Sequence, residues 1–313
     1  MRKVIKKTIV LLLYFSGLSF LIGKFQRNKV FCVGYHSIWD DKNKNEFSQE
    51  LYKNISVNSR DFEKQILFLK NNGHNFIHFS DLEKIEVKKL NKPTIIFFDD
   101  GFKDVYVNAL PILKKHNIPA TIFITTGLIE RTDFLWTLGL RYFLIKKGVN
   151  LTRIENKLRE LKRLSMVDRE MEIGKIFNTD NFILKPVDFN IFLNWEEVVS
   201  LSQNQFEIGS HSTKHQKLTE LPPPELKIAL ESSKAILEAK ISTRVTTVSY
   251  PYGRHNEEVV DSVRSAGYTI GVSTMSGSNS FEYIKNTPFK IKRINPEEDK
   301  NFIDFKVRLY TNL

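Results

Sequence analysis

A chain of 313 residues that is 41% hydrophobic and 27% charged, with 24 Phe but only 14 Gly and 10 Pro, can fill a sizeable core, which excludes disordered, collagenous and low-complexity classes. The 47 Lys and Arg against 36 Asp and Glu leave a net charge of +11; the cations are spread along the chain without a basic block, so no nucleic-acid partner is expected. Cys32 is the only cysteine, which excludes an internal disulfide framework and a multi-cysteine zinc ribbon and leaves the compartment open.

Arg2, Lys3, Lys6 and Lys7 precede an apolar run over residues 8–23, and Lys24 and Arg27 follow it. Cations on both sides of an apolar run mark a segment that meets a membrane, so residues 1–29 are expected to associate with a membrane surface. The run is shorter than the roughly 18–25 residues that span a bilayer. Gly17 and Ser19 interrupt it, and no clear small-x-small cleavage site follows. An uncleaved anchor, a helix lying in the interface or docked on the domain, and a cleaved signal stay open. The expected location is the cell envelope, membrane-associated, with a secreted or cytoplasmic protein as the alternative.

From Val30 onward short β-rich runs alternate with helical patterns, the mark of an α/β fold with largely parallel strands. Strands are expected at 30–35, 94–98, 120–125, 206–208, 245–250 and 268–272, each rich in β-branched or aromatic residues. Helices are expected at 59–71, with Phe62, Ile66, Leu67 and Leu69 as its apolar set, and at 105–116, stopped by Asn117 and Pro119. Two more fall at 224–239 and 256–266. Residues 131–193, including the charged stretch 153–175, have helical pattern without a strand and read as an insertion packed beside the sheet, a plain helical excursion with no part in the site. No internal repeat is visible, and residues 30–313 are expected to form one domain around this insertion.

Three segments place polar, metal-competent residues directly after an apolar strand, where α/β folds build sites. In Phe97-Phe98-Asp99-Asp100-Gly101 two adjacent carboxylates follow a buried run, although Asp-Asp-Gly is by itself an ordinary turn. In His211-Ser212-Thr213-Lys214-His215 two histidines at i and i+4 would present both imidazoles to one side of a helical turn, a spacing that suits a divalent metal. Val248-Ser249-Tyr250-Pro251-Tyr252-Gly253 is a strand ending in a Pro-aromatic-Gly turn whose backbone N–H could face an oxyanion.

Together and in this order the three segments resemble the polysaccharide deacetylases, the carbohydrate esterases of family 4. The flanking text resembles them too, in Tyr35-His36-Ser37-Ile38, Asn108-Ala109-Leu110-Pro111-Ile112-Leu113 and Ala120-Thr121-Ile122-Phe123. The resemblance runs from about residue 30 to 294 and implies a distorted (β/α) barrel with a helical insertion. It implies Asp99 as catalytic base, Asp100, His211 and His215 as ligands of one divalent metal, and Ser212 as a hydroxyl bracing the loop. It also implies Tyr252, with Pro251 before it, at the oxyanion and substrate. Zinc suits two imidazoles and a carboxylate, and iron, cobalt or nickel would also fit. Two features depart from the full pattern. Ser249 stands where members carry an Arg that braces the base, and the late Leu-x-His that supplies the acid is absent, because no histidine follows His255.

Elimination among the seven histidines addresses the missing acid. His211 and His215 are assigned to metal, His74 lies in a turn, His116 closes a helix, and nothing points His78 at the motifs. His36, at the carboxyl end of the first strand, is the first candidate for general acid or partner of the catalytic water, and His255 the second. The implied function is a metal-dependent deacetylase acting on acetylated polysaccharide or glycolipid-linked sugar, N-acetyl in preference to O-acetyl. An amidase or esterase on another acylated substrate and an inactive carbohydrate-binding scaffold compete with it. Tyr252, Trp136 and Trp195 are candidate sugar-stacking rings, with Trp195 read as core, and Cys32 reads as a packing residue.

Overall fold

The computed structural model describes residues 2–40, 55–129, 135–178, 191–299 and 301–311. The basic side chains of Arg2, Lys3, Lys6 and Lys7 lie outside the described residues, as do both margins of the insertion, 130–134 and 179–190.

Helices α1 (Arg2–Phe15) and α2 (Leu18–Phe25) open the described chain. Gly17 separates them at φ 72°, a conformation that glycine adopts without steric cost. Their apolar parts, Thr8–Phe15 and Leu18–Phe25, meet at 71°, and no single helix among the described residues is long and apolar enough to cross a membrane.

The sheet begins with β1 (Lys29–Tyr35), followed by the short pair β2 (Ser37–Trp39) and β3 (Ser56–Asn58). The Asn58 side chain accepts from the Arg60 N–H and so starts α3 (Ser59–Asn71). After β4 (Asn75–Phe76) and β5 (Pro93–Phe98), a π-helical turn at Val105–Ala109 leads into α4 (Leu110–His116), which Asn117 ends in the left-handed conformation. Then come β6 (Ala120–Ile124) and α5 (Thr126–Ile129). The insertion holds α6 (Trp136–Lys146), α7 (Leu151–Leu161) and α8 (Met166–Asn178). Beyond it lie α9 (Trp195–Ser202), β7 (Phe206–Ser210), α10 (Pro223–Ile241), β8 (Thr247–Ser249), α11 (Glu257–Ser265) and β9 (Ile270–Ser276). The last elements are β10 (Asn279–Ser280), α12 (Phe281–Asn286), β11 (Ile291–Arg293) and α13 (Phe302–Thr311).

Strands β1, β5, β6, β7, β8, β9 and β11 are neighbours in that order and all parallel. The ring closes where the Ile294 N–H donates to Cys32 O at 2.8 Å and the Gly34 N–H donates to Ile294 O at 2.9 Å. Strand β4 fills in beside the start of β5, and β10 runs antiparallel on β1. This is the expected distorted (β/α) barrel.

Period-two alternation sorts the strand residues between two cores. Val30, Cys32, Ile95, Phe97, Phe123, Ile270, Val272 and Ile291 share one cluster, with Phe79 from the loop after β4. Phe31, Val33, Ile96, Phe98, Ile122 and Val248 belong to the other, beneath the helices. The rings of Phe97 and Phe123 need room on two neighbouring strands. A Cβ at Gly34 would stand 2.3 Å from Phe97, and one at Gly209 would stand 2.4 Å from Phe123.

The six expected strands form with shifted ends; the third, for instance, stops at Ile124, and the fifth is confined to Thr247–Ser249. Strand β11 and the two- or three-residue strands β2, β3, β4 and β10 were not anticipated. In the insertion Leu140, Phe143, Ile154, Leu158, Leu161 and Ile173 pack into a small core of their own.

Candidate active site

The carboxyl ends of the barrel strands carry the candidate side chains. After β5 the chain turns sharply, with Asp100 at φ 73° and Gly101 at φ 87°; aspartate tolerates this region better than most residues. The Asp99 N–H donates to Tyr35 O at 2.9 Å, tying the turn to the end of β1. Both carboxylates are buried.

His211 to His215 is a loop rather than the expected helical turn. Its backbone groups bond outward: the His211 N–H donates to Ile124 O at 2.8 Å, while the N–H groups of Thr126 and Gly127 at the start of α5 donate to Ser212 O and Thr213 O. With those partners taken across the rim and Ser212 and His215 at φ 63° and 52°, no i to i+4 ladder forms. The two rings still converge, centroids 4.9 Å apart. Among the described residues the Ser212 hydroxyl has no hydrogen-bond partner, so the expected bracing bond is not seen there. Ser210 Oγ accepts the Ser212 N–H at 3.2 Å, and Ser233 Oγ donates to Ser212 O at 3.3 Å.

Asp100 Oδ1 lies 3.4 Å from His211 Nε2 and 3.3 Å from His215 Nε2, and the three ligand atoms all fall within 4.8 Å of one another. Tetrahedral bonds of the usual zinc length put neighbouring ligand atoms about 3.4 Å apart, so the set fits a divalent ion. The protonation states agree with that fit. His211 Nδ1 lies 2.7 Å from Ser249 O, which as an acceptor fixes the proton on Nδ1 and leaves Nε2 free to ligate. Burial pushes His215 down to about 4 against the raising charge of Asp100, keeping it neutral. Burial by itself would raise Asp100, but His215 and His211 lower it whenever they carry a proton toward it, so the carboxyl stays ionised.

Asp99 has a different partner. Arg293 on β11 places Nη1 2.5 Å from Asp99 Oδ2, with both side chains 3% exposed. Burial would raise the Asp99 pKa, but Arg293, followed by His211 and His36, lowers it overall. Asp99 Oδ1 has no hydrogen-bond partner among the described residues. His36 approaches the same carboxylate, with Nε2 3.9 Å from Asp99 Oδ2. Glu297 holds it from behind, accepting the His36 backbone N–H at 2.5 Å and lying 2.8 Å from Nδ1. Burial lowers the His36 pKa, yet the charge of Glu297 and its hydrogen bond win and raise it to about 9.

Sequence reasoning missed Arg293 and Glu297. The available signal for Arg293 was the alternation through Ile291, Lys292 and Arg293, which sets the guanidinium in phase with buried Ile291. No local pattern marked Glu297, in the turn Pro296–Glu298.

The Pro251–Gly253 turn buries Pro251 and puts Tyr252 at φ 58°, its ring 4.7 Å from the His215 ring. The Tyr252 hydroxyl accepts from the Trp136 indole N–H at 2.9 Å, so the insertion reaches the rim, contrary to its reading as a plain excursion. His255 stacks on Tyr250, centroids 5.0 Å apart, with Nδ1 3.0 Å from Gly253 O, and it is not brought to the carboxylates. His74 is buried between Thr94 and Tyr310, His78 lies against Gln205 O, and His116 pairs with Glu63. Trp195 packs against the core beneath the helices, and Cys32 is fully buried in the first strand.

Comparison with known proteins places these residues in context. The family model described as polysaccharide deacetylase matches residues 86–271, more than half of the chain; His36, Arg293 and Glu297 lie outside that span. The Bacillus subtilis (strain 168) protein YxkH, whose name places it among polysaccharide deacetylases, is 24% identical over 229 residues, 72% of this chain and 61% of that protein. The chain thus spans under two thirds of that relative's length. Poly-beta-1,6-N-acetyl-D-glucosamine N-deacetylase of Staphylococcus aureus (strain N315) is 26% identical over 258 residues, 80% of this chain and 73% of that one. Two solved structures share the fold. The Streptococcus pyogenes deacetylase PplD in complex with acetate has a TM-score of 0.61 at 20% identity, covering 86% of this chain and 92% of its own. IcaB from Ammonifex degensii has a TM-score of 0.59 at 14% identity, covering 90% and 97%.

Proposed function

This chain belongs to the polysaccharide deacetylase family, and on that footing we propose that it is a metal-dependent hydrolase removing acetyl groups, N-acetyl in preference to O-acetyl, from a cell-surface polysaccharide or glycolipid-linked sugar. The observation that carries this reading is the convergence on one rim of the Asp100, His211 and His215 ligand atoms beside the second buried carboxylate, Asp99.

Asp100, His211 and His215 would hold a divalent ion, zinc by the ligand chemistry, which when bound would supply a Lewis acid to activate water and polarise the acetyl carbonyl. Asp99, held ionised by Arg293, takes the proton of the attacking water through Oδ1. The backbone N–H of Tyr252 donates to the oxygen that gains charge. His36, kept protonated by Glu297, gives its proton to the departing amine nitrogen, so the products are acetate and a free amino sugar. The scaffold reading depended on a missing arginine and a missing acid. Arg293 pairs with Asp99 and His36 approaches the same carboxylate, which supports an active enzyme.

We also assign the enzyme to a membrane surface through residues 1–29. Leu12, Phe15, Leu18, Leu21 and Phe25 are exposed on α1 and α2, whereas Val10, Ser19 and Gly23 are buried. The Gln26 side chain donates to Tyr310 O of α13 at 2.9 Å, so one face of the bent pair is docked and the other is apolar and open.

Acetate release from a β-1,6-linked N-acetylglucosamine oligomer, measured with and without a chelator, tests the reading. It predicts release that stops on metal removal and returns on adding zinc. A zinc-loaded chain that releases no acetate from this or other acetylated glycans contradicts it.

A further inference from the structure

The insertion brings to the rim a cation that the fold does not satisfy. Arg169 on α8 is 4% exposed, and among the described residues its Nε and Nη1 have no hydrogen-bond acceptor. Its guanidinium carbon lies 5.0 Å from the centre of the Trp136 ring. Trp136 bonds to Tyr252, and Tyr252 packs on His215, so four side chains run in sequence from the metal-ligand set to the guanidinium. Trp136, Arg169, Lys214 and His215 line one cavity of about 400 Å³, with the Phe177 ring at its side.

Burying a guanidinium with unused N–H groups is costly, and an aromatic neighbour satisfies the face of the cation rather than its in-plane donors. Those donors lie in the guanidinium plane and suit charge-assisted hydrogen bonds to the oxygens of a carboxylate or phosphate. Lys214 adds a second positive charge to the lining; Glu170 is the acidic residue among the lining residues, and it is exposed to solvent, where water and salt screen it. Among the described residues the site therefore has a buried cation without a carboxylate partner, unused in-plane donors, and a wall shared with a metal ligand.

We propose that Arg169 and Lys214 form an anion subsite beside the deacetylation centre, which takes a carboxylate or phosphate substituent on the sugar next to the one being deacetylated. The proposal rests on the deacetylase reading and narrows it to acidic glycans. The insertion is then the element that sets specificity, with Trp136 as the wall between the subsite and Tyr252.

The test uses the zinc-loaded full-length chain and three N-acetylglucosamine tetramers of one linkage: neutral, bearing lactyl carboxylates, and bearing phosphomonoesters. Acetate release and calorimetric binding are both measured. At least one acidic tetramer is expected to exceed the neutral one in kcat/KM by about tenfold or more, mainly through KM, and the carboxylate and phosphate arms identify which anion is taken. Arg169→Met should abolish the preference, so that the variant turns over the acidic and neutral tetramers at one rate, and Arg169→Lys should restore part of the difference. Equal kcat/KM and binding for all three with the parent chain overturns the proposal without need of a variant. So does an Arg169→Met variant that loses neutral and acidic turnover alike, the result of a packing role. Tight binding of an acidic tetramer without acetate release from any of the three keeps the subsite and removes the deacetylase reading; equal acetate release from all three does the reverse.

Discussion

Arg293 and Glu297 set what Asp99 and His36 can do. Arg293 and Asp99 form an ion pair that is 3% exposed on both sides, and removing one member of such a pair leaves an uncompensated buried charge. Arg293→Met is therefore expected to destabilise the fold by about 3–5 kcal/mol in chemical denaturation and to lower acetate release; an unchanged midpoint would show that the pair is not closed in solution. The pairing of His36 with Glu297 has a pH signature. Raising the His36 pKa from 6.5 to about 9 means that its contribution to stability is fully present below pH 6.5 and is lost as pH rises through about 9. The protonated acid follows the same window, so kcat/KM should fall on the alkaline side near pH 9. Glu297→Gln removes the raising charge and should move that limb toward 6.5, whereas a limb that stays in place would assign the acid elsewhere. The sequence exposed Asp99, Asp100, His211 and His215 because each pair sits in one short motif. It hid Arg293 and Glu297 because each meets its partner across the closed barrel, 194 and 261 residues away.

The legibility of the elements depended on how much local pattern each carried. Strands β5 and β6 read clearly, since every residue of both is buried and most are β-branched or aromatic. Strand β11 did not, because Lys292 and Arg293 fill two of its three positions and a buried arginine looks like a surface residue until its partner is known. The helical reading of His211 to His215 took the spacing from sequence, but the backbone partners come from β6 and α5, which no local pattern reveals. At the amino terminus the two helices are bent by 71°, and their open face can enter a lipid interface while the other stays docked on α13. The full-length chain should float with anionic lipid vesicles. Phe15→Ser with Phe25→Ser, at positions 76% and 83% exposed, should weaken partitioning about tenfold or more with little change in melting temperature. Recovery of the parent chain wholly apart from the vesicles would leave the exposed face without a lipid role.

At the scale of the whole molecule, ring closure builds the site. Strand β5 delivers the two carboxylates and β7 leads to the two imidazoles. Strand β1 ends at His36, and β11, bonded back to β1 through Ile294, delivers Arg293 and the turn with Glu297. Asp100, His211 and His215 lie within the span 86–271 that the family model matches, and the partners of Asp99 and His36, Arg293 and Glu297, come from β11 and the turn after it, at the seam with β1. In the mechanism proposed above Asp99 is the base beside a separate three-residue metal site, which acetate release from a β-1,6-linked N-acetylglucosamine oligomer by the parent chain and Asp99→Asn, with bound zinc quantified in both, checks directly. One zinc per chain is expected in both proteins, with a rate about 10²- to 10⁴-fold lower in the variant. Parent-level acetate release by zinc-loaded Asp99→Asn would contradict it.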